Sequence, residues 1–170
     1  VRNYKMHSSN CGEDSIMALS KITNAGVATS GLPTGTVLQT VTNSTEGYIS
    51  GQTNTSLADV TNFTVSITPS STSSKIFVVA SAYIANALVD SANVSVQLSL
   101  LRGSTQLSFA VNSSESGSGG LQTKDSVAFS FLDSPSTTSA TTYKVQSLTN
   151  NSGSSYTVDE GRIVVMEIAG

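Results

Sequence analysis

The stretch VSVQLSLLRGSTQLSFAV, residues 94–111, decides the fold class. Val94, Val96, Leu98 and Leu100 alternate with Ser95, Gln97 and Ser99, a period of two that places one apolar and one polar face on an extended strand. LRGST then turns the chain, and Leu107, Phe109 and Val111 resume the alternation against Gln106 and Ser108. Two alternating runs around a short glycine-containing break read as a β-hairpin.

The same period runs outward in both directions. Phe63, Val65 and Ile67 alternate with Thr64, Ser66 and Thr68 before Pro69 and a Ser/Thr cluster end the run. In the next strand Ile76, Val78, Ala80, Ala82 and Ile84 share a face, while Phe77, Val79 and Tyr83 make the other face apolar too. That strand is expected to be central in its sheet or to line a subunit contact. Downstream, Val127, Phe129 and Phe131 mark a strand, Tyr143 and Val145 another, and RIVVMEIA at 162–169 a last one that is apolar on both faces. Between them SPSTTSATT, residues 134–142, is a hydroxyl-rich connection in which Pro135 restricts the turn and side chains bond to their own backbone. About eight strands and no sustained helical period predict an all-β fold, an antiparallel β-sandwich of jelly-roll type. The head domain is assigned to residues 36–170. Residues 1–35 are read as an extended arm or leader, of which 1–16 form either a genuine tail or an over-extended reading frame ahead of Met17.

Composition restricts the function. The 170 residues carry a net charge of −3, only 11% are charged, and Ser plus Thr number 53, so hydroxyls do most of the wetting of the surface. The eight Lys and Arg are scattered, which leaves no basic stripe for nucleic acid. No apolar run approaches the roughly 18 to 20 residues that a membrane-spanning helix needs. Cys11 is the single cysteine, which rules out an intrachain disulfide framework.

The short motifs carry little chemistry. LPTG at 32–35 lacks the residue and the apolar tail of a sorting signal and reads as a turn before the first strand. Asn-x-Ser/Thr triplets start at Asn43, Asn54, Asn62, Asn93, Asn112 and Asn150, little above chance in so Ser/Thr-rich a chain, and are expected to stay unmodified. His7 and Cys11 offer half a metal site with nothing to complete it. Asp133, Asp159 and Glu160 lack the spacing of a calcium loop, and no catalytic triad can form without His7, the one histidine. Glu115, Asp125, Asp133 and Glu160 could supply a carboxylate pair for glycoside hydrolysis, yet nothing in the sequence pairs them. GSGG at 117–120 lacks the Lys-Ser/Thr of a phosphate loop. No enzyme activity, cofactor or metal is expected. NSSESGSGG, residues 112–120, reads as a mobile loop, and Asn112, Ser113, Ser114, Glu115, Ser116, Gln122 and Lys124 are the candidate receptor-facing residues.

Five segments, GTVLQTV (35–41), VSITPSSTSSKIFV (65–78), LLRGSTQL (100–107), FLDSPSTTSATTYKVQ (131–146) and IVVMEIAG (163–170), resemble the fibre-head or decoration domains of tailed-phage virion proteins, in particular those of marine phages. The resemblance implies a virion structural protein without cofactor, forming a homotrimer, joined to other virion proteins by its N-terminal arm and meeting a host-surface glycan or protein through its loops. A purely architectural ornament and a secreted bacterial adhesin remain open beside the attachment knob.

Overall fold

The computed structural model describes residues 32–44, 49–87, 94–114, 122–153 and 155–170. Nine strands follow one another: β1 (Val37–Ser44), β2 (Ile49–Gln52), β3 (Ala58–Ile67), β4 (Lys75–Ala87), β5 (Val94–Arg102), β6 (Thr105–Ser114), β7 (Gln122–Asp133), β8 (Thr141–Thr149) and β9 (Ser155–Ile168). They form two antiparallel sheets, one ordered β1-β9-β4-β7 with β2 also on β9, the other ordered β3-β8-β5-β6. The connectivity is that of a jelly roll. The hairpin β5/β6 is the tip of a ribbon whose further rungs are β4/β7, β3/β8 and β1/β9, and successive rungs fall in alternate sheets. Rolling that ribbon brings β9 against β4 and β8 against β5, which closes each sheet.

The hairpin that begins the sequence reading closes as expected, with Arg102 opposite Thr105 and Gly103 at φ +56°, a conformation that glycine reaches without steric cost. One expectation within it is corrected. A β-bulge lies between the Leu100–Ser108 and Leu101–Gln106 pairs, and the register beyond it sets Ala110 opposite Leu98 on the core face. Phe109 and Val111 therefore point outward, 58% and 49% exposed, and only Leu107, the extra residue of the bulge, turns toward the core. A one-residue insertion exchanges the faces of everything that follows it.

Between the sheets lie the inward sides of β3 (Phe63, Val65, Ile67), β4 (Ile76, Val78, Ala80, Ile84), β5 (Val96, Leu98, Leu100), β8 (Tyr143, Val145) and β9 (Tyr156, Val158, Ile163, Val165). Burying them out of water drives the layers together. β4 is flanked by β9 and β7, so it is interior to its sheet as its doubly apolar pattern requires.

Candidate functional site

At one end of the sandwich, two carboxylates lie inside the apolar core. In the β1-β9-β4-β7 sheet, Gln39, Glu167, Ile76 and Asp133 form one transverse row on the inner face. The two acids are thus two strands apart, about 10 Å at the usual strand spacing. Glu167 is 1% exposed. Its Oε1 accepts from the Ser70 backbone N–H at 2.7 Å, the Ser70 hydroxyl at 2.6 Å and the Ser74 hydroxyl at 2.7 Å. Its Oε2 accepts from Gln39 Nε2 at 2.6 Å, and Gln39 also donates to the Thr68 carbonyl at 2.7 Å. Burial alone would raise the pKa of Glu167, but the bonds from Ser70, Ser74 and Gln39 outweigh it and hold the carboxyl below its ordinary value. The Ser/Thr cluster after Pro69 is therefore the lid of an ionised side chain as well as the link from one sheet to the other.

Asp133 ends β7 with the same logic. Arg102 Nη1 lies 2.8 Å from each carboxylate oxygen, and Tyr143 Oη donates to Oδ2 at 2.7 Å. Burial, and then the bond to Asp133, push the Tyr143 hydroxyl well above the tyrosine range. The hydroxyl-rich connection from Ser134 starts beside this cluster, where the Lys75 ammonium donates to Ser134 Oγ at 2.8 Å. Ser139 N–H donates to Thr137 Oγ1 and Thr141 Oγ1 to the Ser139 carbonyl, so the segment bonds to itself as its composition predicts. At the opposite end Tyr156 Oη lies 2.8 Å from Ser147 Oγ and 2.9 Å from Asn54 Oδ1, and burial raises its pKa.

These contacts decide the carboxylate candidates. Asp133 is held in an ion pair, and Asp125 sits eight residues away on the same strand, about 27 Å at the strand rise. Glu160 lies across β9 from them, on the outer side of the sheet. Among the described residues, Asp125, Asp133 and Glu160 do not converge, and no group of three or more His, Cys, Asp or Glu is placed to hold a metal ion. His7, Cys11, Glu115 and 117–120 lie outside the described residues. The roles of the buried Glu167 and Tyr143 and of the half-buried Arg102 and Asn54 are not legible in the sequence, because each depends on a partner that only the fold brings near.

Of the receptor-facing candidates, Asn112, Ser113 and Ser114 belong to β6 and pair in register with Val96, Ser95 and Val94. The expectation of a loop from residue 112 is corrected to that extent: the strand runs three residues further than its polar sequence suggests, because backbone pairing with β5 does not depend on apolar side chains. Gln122 and Lys124 lie in β7, opposite Ala87 and Ala85, and Lys124 is exposed. Glu115 and Ser116 lie outside the described residues. LPTG is the expected turn, with Thr36 N–H donating to the Pro33 carbonyl at 3.1 Å. Two of the Asn-x-Ser/Thr asparagines use their amide nitrogens internally. Asn43 donates to the Asn62 and Thr64 carbonyls, and Asn54 to the Ser56 and Ser147 carbonyls.

The outer surface of the β1-β9-β4-β7 sheet has two halves. Toward the buried-carboxylate end, Phe77, Val79, Val164, Met166 and Ile168 alternate outward from the two central strands, with Leu132 and Val37 at the margins 56% and 51% exposed. Toward the other end β9 carries a bulge near Glu160, whose φ is +47°, and the surface becomes polar. A shallow groove of about 290 Å³ is lined there by Ser81, Ala82, Tyr83, Ser126, Glu160 and Arg162.

No family model and no curated protein matches the chain. Among solved structures it is similar to a chain of infectious bursal disease virus, Gx strain, at 15% identity over 75% of this chain and 32% of that one, with a TM-score of 0.43. The VP2 subviral particle of the same virus is similar at 16% identity, 75% and 32% coverage and a TM-score of 0.43. Dimeric latent PorU from Porphyromonas gingivalis is similar at 16% identity over 88% of this chain and 14% of that one, again at 0.43. The chain spans about a third or less of the length of each. At this distance, with viral and bacterial chains scoring alike, function has to be read from the chain itself.

Proposed function

We propose that this chain is a virion structural protein: a jelly-roll head of a short fibre or knob, displayed on a phage particle and taking part in attachment to the host surface. The observation that supports it most is where the five phage-like segments meet. GTVLQTV brings Gln39, VSITPSSTSSKIFV brings Ser70 and Ser74, and IVVMEIAG brings Glu167, and together these form one buried cluster. LLRGSTQL brings Arg102, and FLDSPSTTSATTYKVQ brings Asp133 and Tyr143, which form the other. The segments of the resemblance are thus the parts that lock one end of the roll, the role expected of a durable scaffold rather than of a reactive site. The interior is filled by aliphatic, phenylalanine and tyrosine side chains, and the surface is wetted by hydroxyls.

The test is to purify particles from the source of the gene, quantify the chain in them by peptide mass spectrometry and measure competition of the isolated protein with particle adsorption. Stoichiometric presence with competition supports the attachment reading. Absence from purified particles would defeat it. A purely architectural ornament is the second reading, favoured by the pairing of Asn112–Ser114 as strand, and it predicts presence in particles without competition.

A further inference from the structure

We propose that the polar half of the outer face of the β1-β9-β4-β7 sheet is a carbohydrate-binding groove that takes a neutral pyranose ring, with Tyr83, Glu160 and Arg162 as its recognition groups. The proposal rests on the attachment reading for its biological role, to which it adds the class of ligand; the binding itself is a property of the isolated chain. The groove follows from register. Outward on the central strand β4 stand Ser81, Tyr83 and Ala85, flanked on β7 by Ser126 and Lys124 and on β9 by Arg162 and Asp159. One aromatic ring thus stands between two small residues on the middle strand, and the depression around it has a volume of about 290 Å³. That is close to the roughly 300 Å³ at which small-molecule sites begin, the room of a single sugar ring.

The bulge in β9 supplies the charges. Between the Ser81–Arg162 and Tyr83–Asp159 pairs β9 carries one residue more than β4, and Glu160 and Arg162 both line the groove. Glu160 holds φ +47°, a conformation that glycine takes freely and glutamate only at a cost, and Asp159 Oδ1 fixes it by accepting from the Glu160 N–H at 2.8 Å. Stability alone favours glycine there; an exposed carboxylate stands there instead, and bulges of this kind re-aim side chains at binding sites. Among the described residues neither Glu160 nor Arg162 takes part in an ion pair. A carboxylate and a guanidinium that share a groove without pairing present acceptors and donors to one ligand, and a vicinal diol satisfies both, since each hydroxyl donates and accepts. The half-buried ring of Tyr83 suits the C–H face of a pyranose, because its π face is negative and such C–H groups are weakly positive. The hydroxyls of Ser81 and Ser126 line the same groove. Asp159 and Glu160 balance Arg162 and Lys124 at these positions, so a charged sugar gains nothing from the field and an anionic one meets Glu160.

The experiment is saturation-transfer NMR on the full chain with the methyl pyranosides of glucose, galactose, mannose and N-acetylglucosamine, and with methyl glucuronide as the charged counterpart, followed by titration of the best binder. Transfer to at least one neutral glycoside is expected, with a dissociation constant of about 1 mM and weaker binding of the glucuronide. Tyr83→Ala is expected to weaken binding about tenfold or more. Glu160→Gly is expected to weaken it about tenfold while raising the melting temperature, opposite signs that a merely structural role for Glu160 would not produce. Phe109→Ser, on the other sheet, is expected to leave binding unchanged. If Tyr83→Ala does not fold, Glu160→Gly carries the test, since it relieves the backbone. The proposal is overturned by the absence of transfer to all four neutral glycosides, by a glucuronide that binds more tightly than they do, by binding that persists in Tyr83→Ala or Glu160→Gly, or by its loss in Phe109→Ser. Failure of the virion reading has a different signature: a chain absent from purified particles that still binds a glycoside in this manner keeps the groove and loses the attachment role, whereas a chain present on particles that binds no glycoside loses the groove alone.

Discussion

Replacing Glu167 by Gln is the sharpest probe of how the roll is closed. The carboxylate accepts four hydrogen bonds, three of them on Oε1, and is almost fully enclosed. Bonds to a charged acceptor contribute about 1.5–3 kcal/mol each and neutral ones about 0.5–1.5, so neutralising the group weakens each by about 1 kcal/mol. The substituted amide also turns an N–H₂ toward Gln39 or Ser70, setting donor against donor. Against this stands the desolvation penalty that the neutral side chain no longer carries. The balance is a loss of about 2–3 kcal/mol, or about 6–10 °C in melting temperature for a chain of this size. Because the folded-state pKa lies below the ordinary value of 4.5, the stabilisation is complete above the unfolded pKa and is lost as pH falls through the folded one. Urea denaturation from pH 7 down to pH 2 should show a decline in the wild type below about pH 4.5, in the ordinary glutamate range, and Glu167→Gln should lack its share of that decline. A variant within about 0.5 kcal/mol of wild type at pH 7, or with the full wild-type acid limb, would refute the role assigned to Glu167.

Tyr143→Phe removes the hydroxyl from Asp133 but leaves Arg102 in place, and should cost about 1–2 kcal/mol in equilibrium unfolding. Asn43→Ala frees the Asn62 and Thr64 carbonyls across the gap between β1 and the bulged β3; the site is solvent-accessible, so a loss of about 1 kcal/mol is expected in the same assay. Glu160→Gly relieves a left-handed backbone at φ +47° and should raise stability by about 0.5–1 kcal/mol in a thermal melt, after the entropic cost of glycine.

Where partners are near in sequence, the residues announced the structure. The 94–111 hairpin, the inward Val127, Phe129 and Phe131, and the self-bonded 134–142 connection follow from alternation and turn chemistry alone. What escaped depends on distant partners. RIVVMEIA reads as apolar on both faces, yet Glu167 occupies a core position because Ser70, Ser74 and Gln39, which lie 93 or more residues earlier, supply its donors. Asp133 looks like a turn acid or a candidate catalyst until Arg102 and Tyr143 are brought beside it. The bulge that turns Phe109 and Val111 outward is one extra residue, Leu107, in β6, with no glycine or proline at that position to signal it. β2 is too short to show a period, and it exists because the upper half of β9 needs an edge partner.

The most direct measurement is cryo-electron microscopy of particles from the source of this gene, with antibody raised against residues 32–170 as a marker. The expected result is a two-layered β-sandwich at the particle surface into which this jelly roll fits, with antibody bound there. Particles that lack such density and bind no antibody, while the chain is found free or anchored to the cell, would contradict it.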